Sequence, residues 1–462
     1  MMVEMRMSSR QVSSGLALRA GLVLALGAGL SSVLSASESA GAPAAHPASL
    51  AVPTRYEQEY PHVGYAGPAT HNRVWKLQQD LEAGRVKLQW EDGAGYLRSL
   101  LRALDIDPAS QVLVFSSTSL QFSDISASTP RAIYFNDDTY VGHVPSTGLL
   151  EIASIDVAKG PVFHVLENRQ EGPARPRREG NECLSCHDTF SMTGGGVPRV
   201  VVMSTPVDDP RDGREWSSAS ETDDRTPLDQ RWGGWYVTGS TGGLAHFGNL
   251  PLREQKRDAR LRELRGRRNP RTLDDYIDTT RHLTPHSDVV ALLVLEHQTF
   301  VQNLITRIAF KVPQLAPGSV AARSWDEVPA ADARRAAPML DALVRALFFH
   351  EAAPLGGRIE GSSGFTQAYQ QRGPRDAQGR SLRQLELAGR LFRHRLSPEV
   401  YSPQLAALPP FALDYIQRRI VEVIDGTDTR GIAAGIPEEE RAVIRAILLD
   451  THPALAARLA VN

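Results

Sequence analysis

The chain has 462 residues, 42% of them hydrophobic and 23% charged, a profile that suits a globular protein of two or three domains at roughly 150 residues each. Its 51 Lys and Arg against 53 Asp and Glu leave a formal net charge of −2, which argues against a nucleic-acid binder. Only two cysteines occur, which excludes a disulfide-rich scaffold, a four-cysteine zinc ribbon and an all-cysteine iron–sulfur cluster.

At the N-terminus, Arg6, Arg10 and Arg19 precede an uncharged run, 20–34, rich in Leu, Ala, Gly and Val. Ser35, Ala36 and Ser37 then offer a small-residue cleavage zone, so 1–36 reads as a secretory signal peptide. The alternative is a retained anchor, but the apolar core is about 15 residues against the ~20 of a comfortable span. A linker of Ala, Ser, Gly and Pro covers 37–55. The expected location is periplasmic or otherwise exported, with no membrane span in the mature protein.

Residues 56–170 read as a strand-rich N-terminal domain. It starts with an amphipathic helix at 96–104 and continues with a buried strand at 111–115. A hairpin is expected at 132–144, turning at Asn136 and Asp137 or Asp138, with further strands at 149–156 and 162–166. The two acids read as turn residues rather than calcium ligands, since no EF-hand pattern surrounds them.

Both cysteines fall in the next segment, 171–250, in the run Asn181-Glu182-Cys183-Leu184-Ser185-Cys186-His187-Asp188. This is C-x-x-C-H, the attachment motif of a c-type haem. Two thiols at this spacing can each form a thioether with a haem vinyl group, and the following imidazole can ligate the iron. Chance placement of two cysteines and a histidine in this pattern is on the order of 1 in 8,000, from the residue counts. A zinc half-site, a plain disulfide and a redox thiol pair are the competing readings. The motif sits in a loop-like setting, between an arginine-rich stretch and Gly194-Gly195-Gly196.

A second iron ligand is open among several residues. His246 lies 59 residues beyond His187, flanked by Gly242, Gly243 and Gly248, which let backbone approach a macrocycle. His297, next to Glu296, stands in a long apolar helix whose face includes Leu293, Phe300, Leu304 and Ile308. Met192 is too near His187 to reach the opposite side, while Met203 and Met339 suit core packing. An open or water-bound iron is the remaining possibility. Strands are expected at 199–203 and 232–238, where Trp232, Trp235 and Tyr236 suit cross-strand packing or contact with a haem.

The stretch 208–229 carries eight acids against three arginines, and 253–271 carries nine Lys or Arg against three acids. These are two solvated, oppositely charged segments, with the basic one a candidate face for an acidic redox partner. From 251 to 462 the chain reads as a helical C-terminal domain, with later helices at 338–350, 381–395, 411–425 and 437–449 and a turn-rich loop at 373–381. Pro437 at a helix start and Gly426 past a helix end suit those positions.

Several stretches resemble a family of exported bacterial proteins described as cytochrome c domain-containing. They are Pro130-Arg131-Ala132-Ile133-Tyr134-Phe135-Asn136-Asp137, Glu182 to His187, Arg231-Trp232-Gly233-Gly234-Trp235-Tyr236-Val237-Thr238-Gly239, His246-Phe247-Gly248-Asn249, Val294-Leu295-Glu296-His297-Gln298 and Gly373-Pro374-Arg375-Asp376. The resemblance implies one covalent haem c on Cys183, Cys186 and His187, and electron transfer. Residues and resemblance together give an α+β protein acting as a periplasmic monohaem c-type cytochrome, with His246 as the first choice for second iron ligand and a redox protein as partner. The alternatives are a haem-dependent oxidoreductase or peroxidase on a small substrate, with Glu296 and His297 as its acid–base pair, and a haem-based sensor.

Overall fold

The computed structural model describes residues 55–67, 71–116, 118–172, 174–179, 181–188, 196–205, 219–249 and 269–460. The signal segment, nearly all of the linker, Met192, 208–218 and most of the basic stretch lie outside the described residues. The architecture is α+β, with strands concentrated before residue 223 and helices after 288.

A short helix α1 (Arg55–Glu59) opens the described chain, followed by α2 (Arg73–Glu82) and α3 (Leu97–Ala103). Asn72 caps α2 by accepting from the Trp75 N–H at 2.8 Å. Next come β1 (Val112–Val114), β2 (Arg131–Phe135), β3 (Thr139–His143), β4 (Leu149–Asp156), β5 (Gly160–Glu167) and β6 (Arg177–Arg178). They form one antiparallel sheet in sequence order, a meander, as the alternating runs and turn residues predict. Asn136 makes the β2–β3 turn, where its Oδ1 accepts from the Asp138 and Thr139 N–H groups.

Register assigns the sheet two faces. Leu113, Ala132, Tyr134, Val141, Leu150, Ile152 and Leu166 share a buried core with Val74, Leu77, Leu97 and Leu100 of α2 and α3. The opposite face, with Val112, Val114, Phe135, Tyr140 and Ile155, packs on the first turns of a 27-residue helix. Each fully buried Leu, Ile or Val contributes about 1.5–3 kcal/mol, so both faces are driven to cover themselves.

The chain then adds α4 (Asn181–His187), a two-stranded pair β7 (Val202–Ser204) and β8 (Ser220–Thr222), and the long helix α5 (Val289–Leu315). Asp288 caps α5, with Oδ1 accepting from Val290 and Ala291 while Oδ2 accepts from the N–H groups of Ser362 and Ser363. By length and composition α5 could cross a membrane, but its apolar stretch is buried within the molecule, as in a core helix. Its second half enters a helical core with α6 (Ala330–Leu347), α9 (Pro410–Asp425), α10 (Glu438–Thr451) and α11 (Pro453–Leu459). Between these lie β9 (Leu355–Arg358), α7 (Phe365–Gln371), β10 (Ala388–Gly389) and α8 (Pro403–Ala406). Gly426 closes α9 in the left-handed region at φ 78°, as its position predicts.

Two expected elements differ. Residues 232–238 are not a strand. They form a loop that touches β1 through the single bridge Val114–Trp235, and Trp232 sits at φ 69°, incompatible with a regular strand. Residues 381–395 are not a helix, because Leu387 adopts φ 58° and β10 pairs with β9 instead.

Candidate functional site

The two cysteines and His187 lie together on α4. Glu182 in its first turn suits the helix dipole. Spacing of three residues puts Cys183 and Cys186 on one side of the helix. Cys183 is partly buried, Cys186 is exposed, and the two are not joined in a disulfide. Burial pushes the Cys183 thiol up to about 12, with Glu151 and Glu179 adding to it. A thiol so held is protonated at neutral pH, the opposite of an activated redox cysteine.

His187 is held by one residue from two directions. Its ring Nδ1 lies 2.8 Å from the Arg199 carbonyl oxygen, and its own carbonyl accepts from the Arg199 N–H at 3.0 Å. A carbonyl only accepts, so Nδ1 carries the hydrogen and Nε2 presents a lone pair. Phe163 packs against the ring with centroids 4.6 Å apart. Burial holds the imidazole below its ordinary pKa, which keeps it neutral. Arg199 is itself fixed by a two-pronged bond to Glu221 on β8, at 3.0 and 3.3 Å.

Facing α4 is the sheet surface carrying Arg131, Ile133, Tyr140, Gly142, Glu151, Ala153 and Phe163, brought onto one face by the β2–β3–β4–β5 register. Val200, Val201, Val202, Trp235 and Leu295 close another wall. Trp235 Nε1 donates to the Met203 carbonyl at 2.7 Å. The lining is mixed: beside the apolar residues stand Thr118, Ser119, Glu182 and one ion pair, Arg131 Nη2 to Glu151 Oε2 at 2.5 Å, which is mostly screened from solvent. Gly142 lies between them, and a Cβ there would meet Arg131 Nη2 at 2.5 Å, so only glycine lets the guanidinium cross the strand. Arg131 Nε and Glu151 Oε1 are buried without a hydrogen-bond partner.

These residues suit a covalently held haem in chemistry: two unpaired thiols at the right spacing, an imidazole whose second nitrogen is tied to a carbonyl, and an apolar wall with an unpartnered cationic donor. The space now between α4 and the sheet is about 110 Å³, below the roughly 300–1,000 Å³ of small-molecule sites. In volume, a macrocycle does not fit this space. Glu182, Ser185 and Cys186 are exposed, and Glu182 and Cys186 also line this space. The zinc reading finds no support, since among the described residues no three His, Cys, Asp or Glu converge as a ligand set.

The other sequence candidates are not brought to this cavity. His246 is buried, its Nε2 lies 2.9 Å from Asn269 Oδ1, and its ring meets Trp232 edge-on. Asn249 clamps the same loop through both Val237 backbone groups. Gly242 and Gly243, expected to admit a macrocycle, instead take left-handed turn positions at φ 64° and 87°. Glu296 pairs with Arg231 at 2.7 Å and accepts from Thr222 at 2.9 Å, and its neighbour Leu295, not Glu296, lines the cavity. His297 has both ring nitrogens engaged, by Asp224 Oδ2 at 2.6 Å and Ser397 Oγ at 2.7 Å. Ser397, His297 and Asp224 have the order of a hydrolase relay, but Ser397 is completely buried and caps the next turn by accepting from the Glu399 N–H at 3.1 Å. The acid–base role expected of Glu296 and His297 at a haem is thus not supported by their placement. Met203 is a buried strand residue and Met339 packs on the helical core, as their apolar settings predict.

Sequence reasoning missed Arg131, Gly142, Glu151, Phe163 and Arg199. A glycine amid the β-branched and aromatic residues of β3 was the one available sign. No protein-family model, curated protein or solved structure matches the chain.

Proposed function

We propose that this chain is an exported single-haem c-type protein whose base function is electron transfer. Cys183 and Cys186 hold the haem covalently, and His187 ligates its iron through Nε2. The observation that carries this reading is the bond from His187 Nδ1 to the Arg199 carbonyl, which leaves Nε2 as a fixed lone-pair donor beside two unpaired thiols. The haem supplies a one-electron couple. The chain keeps it attached, orients the proximal imidazole and surrounds it with an apolar wall, which influences the potential. Export suits covalent attachment, since the thioethers prevent loss of the cofactor. The exposed side of α4, at Ser185 and Cys186, is the surface offered to a redox protein.

The test is expression of the full chain with its signal segment in a host that attaches haem c outside the cytoplasm. The expected result is a c-type pyridine haemochrome spectrum and a covalent mass increase of one haem, both lost in the C183A/C186A double variant. A wild-type product without covalent haem overturns the proposal.

A further inference from the structure

We infer that the cavity between the start of α2, the β2–β3 turn and the 398–404 segment binds a small organic cation, with the Glu399 carboxylate and the Gln404 amide oxygen as its acceptors. This site does not involve the α4 motif and does not depend on the haem reading. The cavity measures about 560 Å³, within the roughly 300–1,000 Å³ of small-molecule sites. Ile155, Val157, Pro398 and Pro403 give it an apolar wall, and Trp75 of α2, 37% exposed, lines it as well. Gln404 is almost completely buried, and its amide orientation is fixed by a neighbour on α5. Thr306 Oγ1 donates its only hydrogen to the Gln302 carbonyl at 2.9 Å, so toward Gln404 it can only accept, and Gln404 Nε2 donates to it at 2.8 Å. Gln404 Oε1 is therefore the atom left over, an acceptor buried without a hydrogen-bond partner. An unmet buried acceptor costs free energy, which a ligand that donates to it recovers.

The charges of the cavity set the sign of the ligand. Its cations are already engaged: Arg73 binds Asp138 at 2.7 Å, Arg383 binds Asp137 at 2.5 Å and Lys76 binds Asp80 at 2.6 Å. Arg383 also lies over the Tyr369 ring, 4.6 Å from its centroid, although its Nη1 makes no hydrogen bond. Among the described residues, Glu399 is the one carboxyl of this wall without an ion pair. Gln302 Nε2 hydrogen-bonds to it and also donates to the Asp137 carbonyl at 2.7 Å. Burial, with Asp137 beside it, pushes Glu399 up to about 8, as befits a carboxylate lacking a counterion. A bound guanidinium or ammonium supplies that counterion, donates to Gln404 Oε1 and can lie against Trp75. Among the described residues no three His, Cys, Asp or Glu gather as a metal-ligand set, so the cation is an organic one with an apolar body rather than a metal ion.

The experiment titrates the full-length protein calorimetrically with butylguanidinium, its neutral isostere butylurea, and butyrate. Butylguanidinium is expected to bind roughly tenfold or more tightly than either of the others, because only it pairs with a poorly solvated carboxylate. Its affinity is expected to rise between pH 7 and 9 as Glu399 gives up its proton. The other charged and titratable groups around Glu399 are Asp137, Asp138, Arg73, Arg383 and Lys76, with His71 and Tyr401 on the same wall. That window avoids the ordinary carboxylate, histidine, tyrosine and lysine ranges. Glu399→Gln is expected to weaken the cation about tenfold, to flatten the pH profile and to leave the urea midpoint no lower than wild type. Gln404→Met, which keeps the volume, is expected to weaken it about threefold through loss of one hydrogen bond. No binding of butylguanidinium, or butylurea binding equally well, overturns the inference. Preferential binding of butyrate also overturns it and assigns the cavity to Arg383 Nη1. Unchanged affinity in Glu399→Gln overturns the role of Glu399, and should that variant fail to fold, a flat wild-type pH profile does the same.

Discussion

Two regions of this molecule hold a histidine near an ion pair that is buried or mostly screened from solvent, and they differ in how far the hydrogen bonds are used up. Around α5, Arg231 spends its guanidinium on Glu296, the Thr226 carbonyl and the Asp224 carbonyl, while His297 is closed at both nitrogens. Around α4, one nitrogen of His187 is tied down, and Arg131 Nε and Glu151 Oε1 have no partner. The first region is a brace joining the 222–231 segment, α5 and the 397 turn. The second is a set of donors and acceptors without a complement. Both regions set unusual polar residues on apolar elements, and they differ in how fully the hydrogen-bonding groups named here are paired.

The largest expected effect lies at α4. His187→Ala removes the only imidazole of the motif and is expected to abolish the native haem spectrum while changing the urea midpoint of the apoprotein little. A spectrum that survives this substitution breaks the distinction between the regions. At α5 the converse holds: Glu296→Gln leaves Arg231 charged and without a counterion in the interior, at a cost of about 3–5 kcal/mol. Urea unfolding measures it, and haem content per folded molecule is expected to stay the same.

A smaller effect concerns pH. Burial pushes His143, His164, His246 and His282 down to about 4, so each is neutral in the folded chain where the unfolded chain would protonate it. Their contribution to stability is fully present above about pH 6.5 and is lost as pH falls toward 4, because over that window the unfolded state binds more protons. His246→Gln is expected to shallow this decline and to leave the haem spectrum unchanged. A slope identical to wild type, measured from urea midpoints between pH 7 and 5, contradicts it, and a change to high spin would restore His246 as an iron ligand. Least of all, Ser397→Ala is expected to cost about 1–3 kcal/mol by orphaning His297 Nε2, with no effect on any haem property.

How far the sequence could be read follows the range of the interactions involved. The strands β1 to β5 and the helices α3, α5, α9 and α10 are legible because alternation, apolar runs and end signals are local. The C-x-x-C-H motif is legible as a pattern for the same reason, since its residues lie within about one helical turn. The roles of His246 and His297 were not legible. Each sits in a polar-on-apolar context that fits a ligand, and no local pattern shows the approach of Asn269 to His246 Nε2, from 23 residues away, or of Asp224 and Ser397 to both nitrogens of His297, from 73 and 100 residues away. Likewise, Arg131, Gly142 and Glu151 come from three strands, and their meeting depends on a register that no local pattern expresses. Trp232 and Leu387 interrupt apparently regular segments because tertiary packing holds them at positive φ against their own preference.

The central claim is that α4 is a haem attachment helix and the α5 cluster is not a haem site. Intact-mass and pyridine haemochrome measurement of the exported full-length protein tests it most directly. The account predicts one haem covalently bound through Cys183 and Cys186, with the c-type spectrum kept in a Glu296→Gln and His297→Ala background. A product carrying no haem, with Cys183 and Cys186 joined in a disulfide, would contradict it.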